Sequence, residues 1–221
     1  MTTLRLADAE SRADLAAYVS RARALDDQGA IRLQADGMAL AAYVGVLPGS
    51  GLMGQGSVTG LRTLQLAEPV SLDTTVALGA LADRLARPVT LVGDGHRLEV
   101  PPVTVHVGWA AVAPPRTGWE PYGQVASALL EVVAREGIAE VAQGSGTQSG
   151  AHAVSALRDA VWSRTIDGLS AAGLAPGVRP PAGAAFAAYV LGFLRSGTDA
   201  SVFANGRWLR LSTPSGHVLV R

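Results

Sequence analysis

"AIRLQADGMALAAYVGVL" occupies residues 30–47, two apolar-rich segments separated by Asp36-Gly37. An Asp-Gly pair favours the type I′ turn, because both central residues of that turn need positive φ. The stretch therefore predicts a β-hairpin. Upstream, Leu15, Tyr18, Val19, Ala22 and Leu25 recur near i, i+3, i+4 and i+7 between Asp8 and Gln28. That period predicts an amphipathic helix, with Gly29 as its C-terminal stop. Downstream, "LRTLQLAE" (61–68) reads as a strand. "SLDTTVALGALADRLAR" (71–87) reads as a helix capped by Ser71 or Asp73 and ended by Pro88.

The same formula returns twice. "PVTLVG" and "HRLEVPP" flank Asp94-Gly95, and "ASVFA" and "RWLRLS" flank Asn205-Gly206, with "HVLVR" (217–221) as one more strand. "VTVHVGWAAVA" (103–113) reads as a long, mostly buried strand. Between them lie three helical stretches, 122–142, 151–173 and 181–197, the last almost wholly apolar. Each turn pair is followed by Leu three positions after its glycine, and the first and last helices share Ala-Ala-Tyr-Val, at 16–19 and 187–190. An internal helix-hairpin repeat is one reading, and the commonness of Asp-Gly and Asn-Gly turns is the other. The predicted class is α+β: mostly antiparallel sheet built from hairpins, with helices packed on one face. The simplest organisation is a single domain over 1–221, with a sub-boundary, if it splits, near 113–123.

With 221 residues, 48% of them hydrophobic, the chain can bury a sizeable core. Its formal net charge is zero, all eighteen basic residues are arginine, and charged residues make up only 16%. A broad cationic face for nucleic acid is not expected. Low surface charge instead suggests burial of apolar surface in a homo-oligomer or against a protein partner. Absence of cysteine removes disulfides and thiol nucleophiles, and absence of lysine removes Schiff-base catalysis. No stretch has the length of a signal-peptide core or a membrane span, so a cytoplasmic location and no membrane association are expected.

"PGSGLMGQGSVTG" (48–60) places Gly49, Gly51 and Gly54 at the G-x-G-x-x-G spacing. The dinucleotide fingerprint needs its third glycine to open a helix, whereas Gly54 is followed by Gln-Gly-Ser-Val-Thr-Gly, a helix-poor run leading to a strand. A glycine-rich connection of strands remains, with backbone amides that could still form an anion nest. "APPRTGWEPYGQ" (113–124) groups Arg116, Trp119, Glu120 and Tyr122 on a stiff, irregular segment. Those residue types suit binding of a planar or anionic ligand, and the alternative is a lid over the core with Arg116 and Glu120 paired. The four histidines show no metal-ligand spacing, and neither a nucleophile elbow nor H-E-x-x-H occurs.

Two functions fit these residues. The first is a non-catalytic binding or assembly module acting through protein contacts, with Phe186, Tyr189 and Phe193 of the apolar helix as its interface. The second is a small-molecule site, enzymatic or sensory, between the glycine loop at 49–56 and the segment 116–122. Catalytic residues, cofactor and the existence of a reaction are left open by the sequence.

Overall fold

The computed structural model describes residues 2–49, 54–87, 96–145, 150–167, 174–175 and 177–221. The chain divides into two compact units, Met1–Val46 with Gly60–Ala113, and Leu47–Thr59 with Pro114–Arg221. Both are α+β with antiparallel strand pairing.

In the first unit, β1 (Thr3–Arg5) pairs antiparallel with β4 (Arg97–Glu99), with Leu4 opposite Leu98. The helix α1 (Ala9–Leu25) starts where Asp8 accepts the Ser11 N–H at 2.7 Å and ends at Asp26, which is extended. Leu15, Tyr18, Val19 and Ala22 form its buried stripe, whereas Leu25, the last residue of the predicted stripe, is 38% exposed. The stretch Ala30–Leu47 is extended throughout (β2), with Gly37 at φ 61 and residues 36–39 exposed. Buried positions are Ile31, Leu33 and Ala35 before this glycine and Leu40, Ala42 and Val44 after it. That switch from odd to even numbering is what a two-residue turn beside Gly37 produces, although Asp36 lacks the positive φ of the type I′ turn expected there. The second predicted turn pair, Asp94-Gly95, lies outside the described residues.

Two readings of this region are overturned. The predicted helix over 71–87 begins only at Leu78: β3 runs from Val58 to Ala77 and α2 covers Leu78–Leu85. Thr74, Thr75 and Val76 are β-branched and favour the extended chain, and Asp73 pairs with Arg32 instead of capping a helix. The predicted buried strand at 103–113 is an extended but irregular segment that turns into a short 3₁₀ helix at Gly108–Ala111. Val103 and His106 on it are exposed. Arg12 closes the unit from below α2, its Nη2 donating to the Leu85 carbonyl at 2.8 Å. A guanidinium there satisfies a carbonyl that the helix end leaves unpaired.

In the second unit the strands run in the order β8 (Gly216–Val220), β7 (Trp208–Thr213), β6 (Asp199–Asn205), β5 (Glu120–Ala126), all antiparallel. The start of β3 lies beside β8, where Arg221 N–H donates to Ser57 O at 3.2 Å. A hairpin forms here, but its turn lies one residue later than predicted: Asn205 pairs with Trp208 and Phe203 with Arg210, so Gly206-Arg207 are the turn residues, with Gly206 at φ 56 and no positive φ at Asn205. Behind the sheet lie α3 (Ser127–Gly144), α4 (Ala151–Ser163) and α5 (Ala182–Val190). Ala200, Val202, Leu211 and Val218 face them and are fully buried. The helix predicted from Tyr122 starts five residues later, because 120–126 pairs with β6 as a strand, bulged between Pro121 and Gly123.

Candidate functional site

Within the first unit, β3 and the segment 104–111 enclose a groove of about 580 Å³, lined among others by Arg32, Asp73, Thr74, Thr75, Thr104 and His106. Arg32 is committed to structure there. Its Nε and Nη2 reach the two Asp73 oxygens at 2.8 and 2.7 Å, and Nη1 donates to the Ala110 carbonyl at 2.9 Å. Hydrogen bonding to Asp73 raises the Arg32 pKa against the opposing effect of burial. Asp73 also accepts from Gln34 Nε2 at 3.1 Å. What the groove offers a ligand is threonine hydroxyls and the exposed imidazole of His106. Among the described residues no group of three or more His, Asp or Glu converges as a metal site.

The segment 116–122 belongs to the second unit. Trp119 folds back so that its Nε1 donates to the Pro115 carbonyl at 3.0 Å, and its ring lies 4.6 Å from the Arg210 guanidinium carbon. Arg210 lies at the same time 4.5 Å from the centre of the Phe203 ring. Glu120 stands opposite Ala204 at the start of β5, Arg116 is exposed, and Tyr122 lies at the bulge with its carbonyl accepting from Ala175 N–H at 2.8 Å. Of the four predicted residues, only Trp119 joins the cluster around Arg210.

The glycine loop connects strand to strand. Gly49 approaches the backbone of Gly54 so closely that a Cβ would overlap it, and Gly54 and Gly56 hold φ of 62 and 75. Gly51 lies outside the described residues. β3, not a helix, follows the loop, so no helix N-terminus is present to receive a pyrophosphate.

Phe186 and Phe193 are placed in the interior of the second unit rather than on its surface. Phe186 stacks on Trp162 with ring centroids 4.3 Å apart, and Phe193 packs against Gly216 at 2% exposure. Tyr189 is half-buried, with the Arg135 guanidinium 5.5 Å from its ring. A helix as apolar as α5 must be covered, and here α3, α4 and β8 cover it within the unit.

Residues that the sequence reading missed share the other face of the sheet. Alternation along β6, β7 and β8 puts Phe203, Arg210 and Leu219 in one row and Ser201, Ser212 and His217 in the next. The second row is hydrogen-bonded across the strands, Gln124 Nε2 to Ser201 Oγ at 3.3 Å and His217 Nδ1 with Ser212 Oγ at 2.9 Å. The Asn-Gly pair signals the hairpin but not this register, since a two-residue turn centred on Asn205-Gly206 would set Phe203 opposite Trp208.

This fold is similar to that of solved DNA polymerase sliding clamps. The DNA polymerase III subunit beta of Pseudomonas aeruginosa is similar over 99% of this chain and 63% of its own, with a TM-score of 0.56 at 11% identity. The beta sliding clamp of Caulobacter crescentus is similar over 99% of this chain and 64% of its own, with a TM-score of 0.52 at 11% identity. The chain thus spans about 63–64% of the length of these clamp chains, and the likeness is one of fold. At the level of sequence families, residues 1–109 match a domain of unknown function, DUF8010, and residues 114–221 match another, DUF8185. No curated protein matches the sequence. No helix among the described residues is long and apolar enough to cross a membrane.

Proposed function

We propose that this chain is a non-catalytic assembly module that associates with further copies of itself through an open strand edge in its first unit. The observation that carries the reading is the segment Val103–Val107. It is extended and held to β3 by the Val105 N–H, which donates to Thr75 O at 2.9 Å. In an extended chain the amides of Thr104 and His106 point to the opposite side, and among the described residues neither donates to another backbone group. Val103 beside them is 72% exposed. An uncovered edge with an exposed β-branched residue is a template for strand addition.

Charge supports protein rather than nucleic acid as the partner. The five helices among the described residues together carry six arginines and seven carboxylates, so they present no cationic track for phosphates. The test is light scattering behind size exclusion, with native mass spectrometry, on the wild type, Val103→Lys and Thr104→Pro. The wild type is expected to be oligomeric and both variants to be shifted to the 22.6 kDa monomer. A monomeric wild type, or tight salt-sensitive binding of duplex DNA, would overturn the reading. A small-molecule site is the second reading. The groove beside Arg32 has the size of a ligand pocket, and the loop at 49–56 with the segment 116–122 remains the other proposed location.

A further inference from the structure

We propose that the face of the second unit's sheet turned away from its helices binds an acidic peptide segment of a partner protein through the half-buried Arg210 and Arg221. This rests on the protein-contact reading above and adds the chemistry of a partner.

Both arginines are cations held by aromatic rings rather than by carboxylates. Arg210 lies over Trp119 and Phe203, and Arg221 lies 5.6 Å from the ring centre of Trp208. Among the described residues neither side chain forms a salt bridge, and Arg210 Nε and Arg221 Nη1 are buried without a hydrogen-bond acceptor. Burial lowers the Arg210 pKa from its ordinary value, the mark of a charge partly stripped of water with no counter-ion. An arginine remains protonated even so. Stacking fixes the plane of the guanidinium, so a carboxylate approaching its edge meets a preorganised two-toothed donor.

Spacing selects an extended peptide. Arg210 stands opposite Leu219, which places Arg221 on the diagonal two residues further along β8. Diagonal neighbours across an antiparallel pair are about 7–8 Å apart. Alternate side chains of an extended strand are separated by about 6.6 Å, two rises of about 3.3 Å, so an acidic-x-acidic segment matches the two guanidinium groups. Asp199 shares this face but lies four residues along β6 from Phe203, about 13 Å away, with the Ser201 row between them. Two cations among three aromatic rings suit one or two carboxylates and fall short of the run of charges that a polyphosphate requires.

The test uses the full chain and three probes: a blocked, fluorescent peptide of alternating aspartate and leucine, its asparagine counterpart, and a labelled oligothymidylate, read by anisotropy at two salt concentrations. The aspartate peptide is expected to bind at least about tenfold tighter than the asparagine peptide. Arg210→Lys keeps the charge but not the fork, and is expected to lose about tenfold, with Arg221→Gln also weakened. Arg158→Gln, on the exposed side of α4, should bind like the wild type, and circular dichroism checks that each variant is folded. Equal binding of the two peptides, an unchanged Arg210→Lys, or preferential binding of the oligothymidylate would each overturn the proposal. None of these outcomes depends on the oligomeric state, so the strand-edge reading stands or falls separately.

Discussion

Gly137 sits in the interior of α3, where alanine would ordinarily be the better residue by about 1 kcal/mol. The packing opposes that gain. A Cβ at this position would lie 2.7 Å from Trp162 Cη2 and 3.2 Å from Val161 Cγ1, against about 3.5–4.0 Å for a relaxed carbon contact. The indole must therefore retreat by roughly 1 Å. It has little room to do so, because Trp162 is 5% exposed and stacked on Phe186 at an interplanar angle of 23°. Overpacking of this kind costs about 1–3 kcal/mol, so Gly137→Ala should lose a net of about 0.5–2 kcal/mol. Gly79 in α2 is the matched comparison, since a Cβ there meets nothing within 4 Å. Gly79→Ala should therefore gain up to about 1 kcal/mol. Urea unfolding followed by far-ultraviolet circular dichroism reads both signs. In a Trp162→Leu background the penalty at Gly137 should shrink, as a double-mutant cycle would report. A Gly137→Ala variant more stable than the wild type would refute the packing argument.

Other outcomes follow from local contacts. The Ser11 N–H holds the Asp8 carboxyl below its usual pKa, so the folded value lies under the unfolded one. The contribution of this cap is then present at neutral pH and is lost as pH falls through the folded pKa, so urea midpoints of the wild type and Asp8→Ala should converge in acid. Asp73→Asn keeps the shape of the Arg32 contact but removes its charge, and should cost about 1–2 kcal/mol with Arg32 only 17% exposed, measured by urea unfolding. Gly45→Ala would put a Cβ 2.6 Å from Trp109 Cδ1 and should displace that indole, visible as a change in tryptophan emission against a Trp109→Phe control.

The legible part of the fold was its local chemistry. Asp-Gly and Asn-Gly turns, the 3.6-residue stripe of α1 and the apolar run of α5 each depend on neighbours a few positions apart. Those rules located the hairpin near Asn205-Gly206 but not its register, which turns one residue later and so pairs Phe203 with Arg210. Where propensity was nearly balanced, the reading failed. "SLDTT" followed by an alanine- and leucine-rich run looks helical as a whole, and only pairing along β3 with the Arg32–Asp73 contact decides that its first part is extended. The start of α3 moved for the same reason, since 120–126 is claimed by β6 from far along the chain, with Ala126 paired to Asp199 and Glu120 to Ala204.

Composition and turn chemistry by themselves determined an α+β chain of antiparallel hairpins with no thiol or lysine chemistry. Tertiary structure alone decided which apolar side chains were consumed as core. Phe186 in α5 and Phe193 just beyond it offered themselves as an interface in sequence, but α3, α4 and β8 cover α5 and both side chains are buried within the second unit. Arg210 and Arg221 drew no notice in the sequence and became half-buried cations that form no salt bridge among the described residues, because the strand register set aromatic rings beside them. Burial and pairing are properties of what arrives from distant positions, and local periodicity carries no record of it.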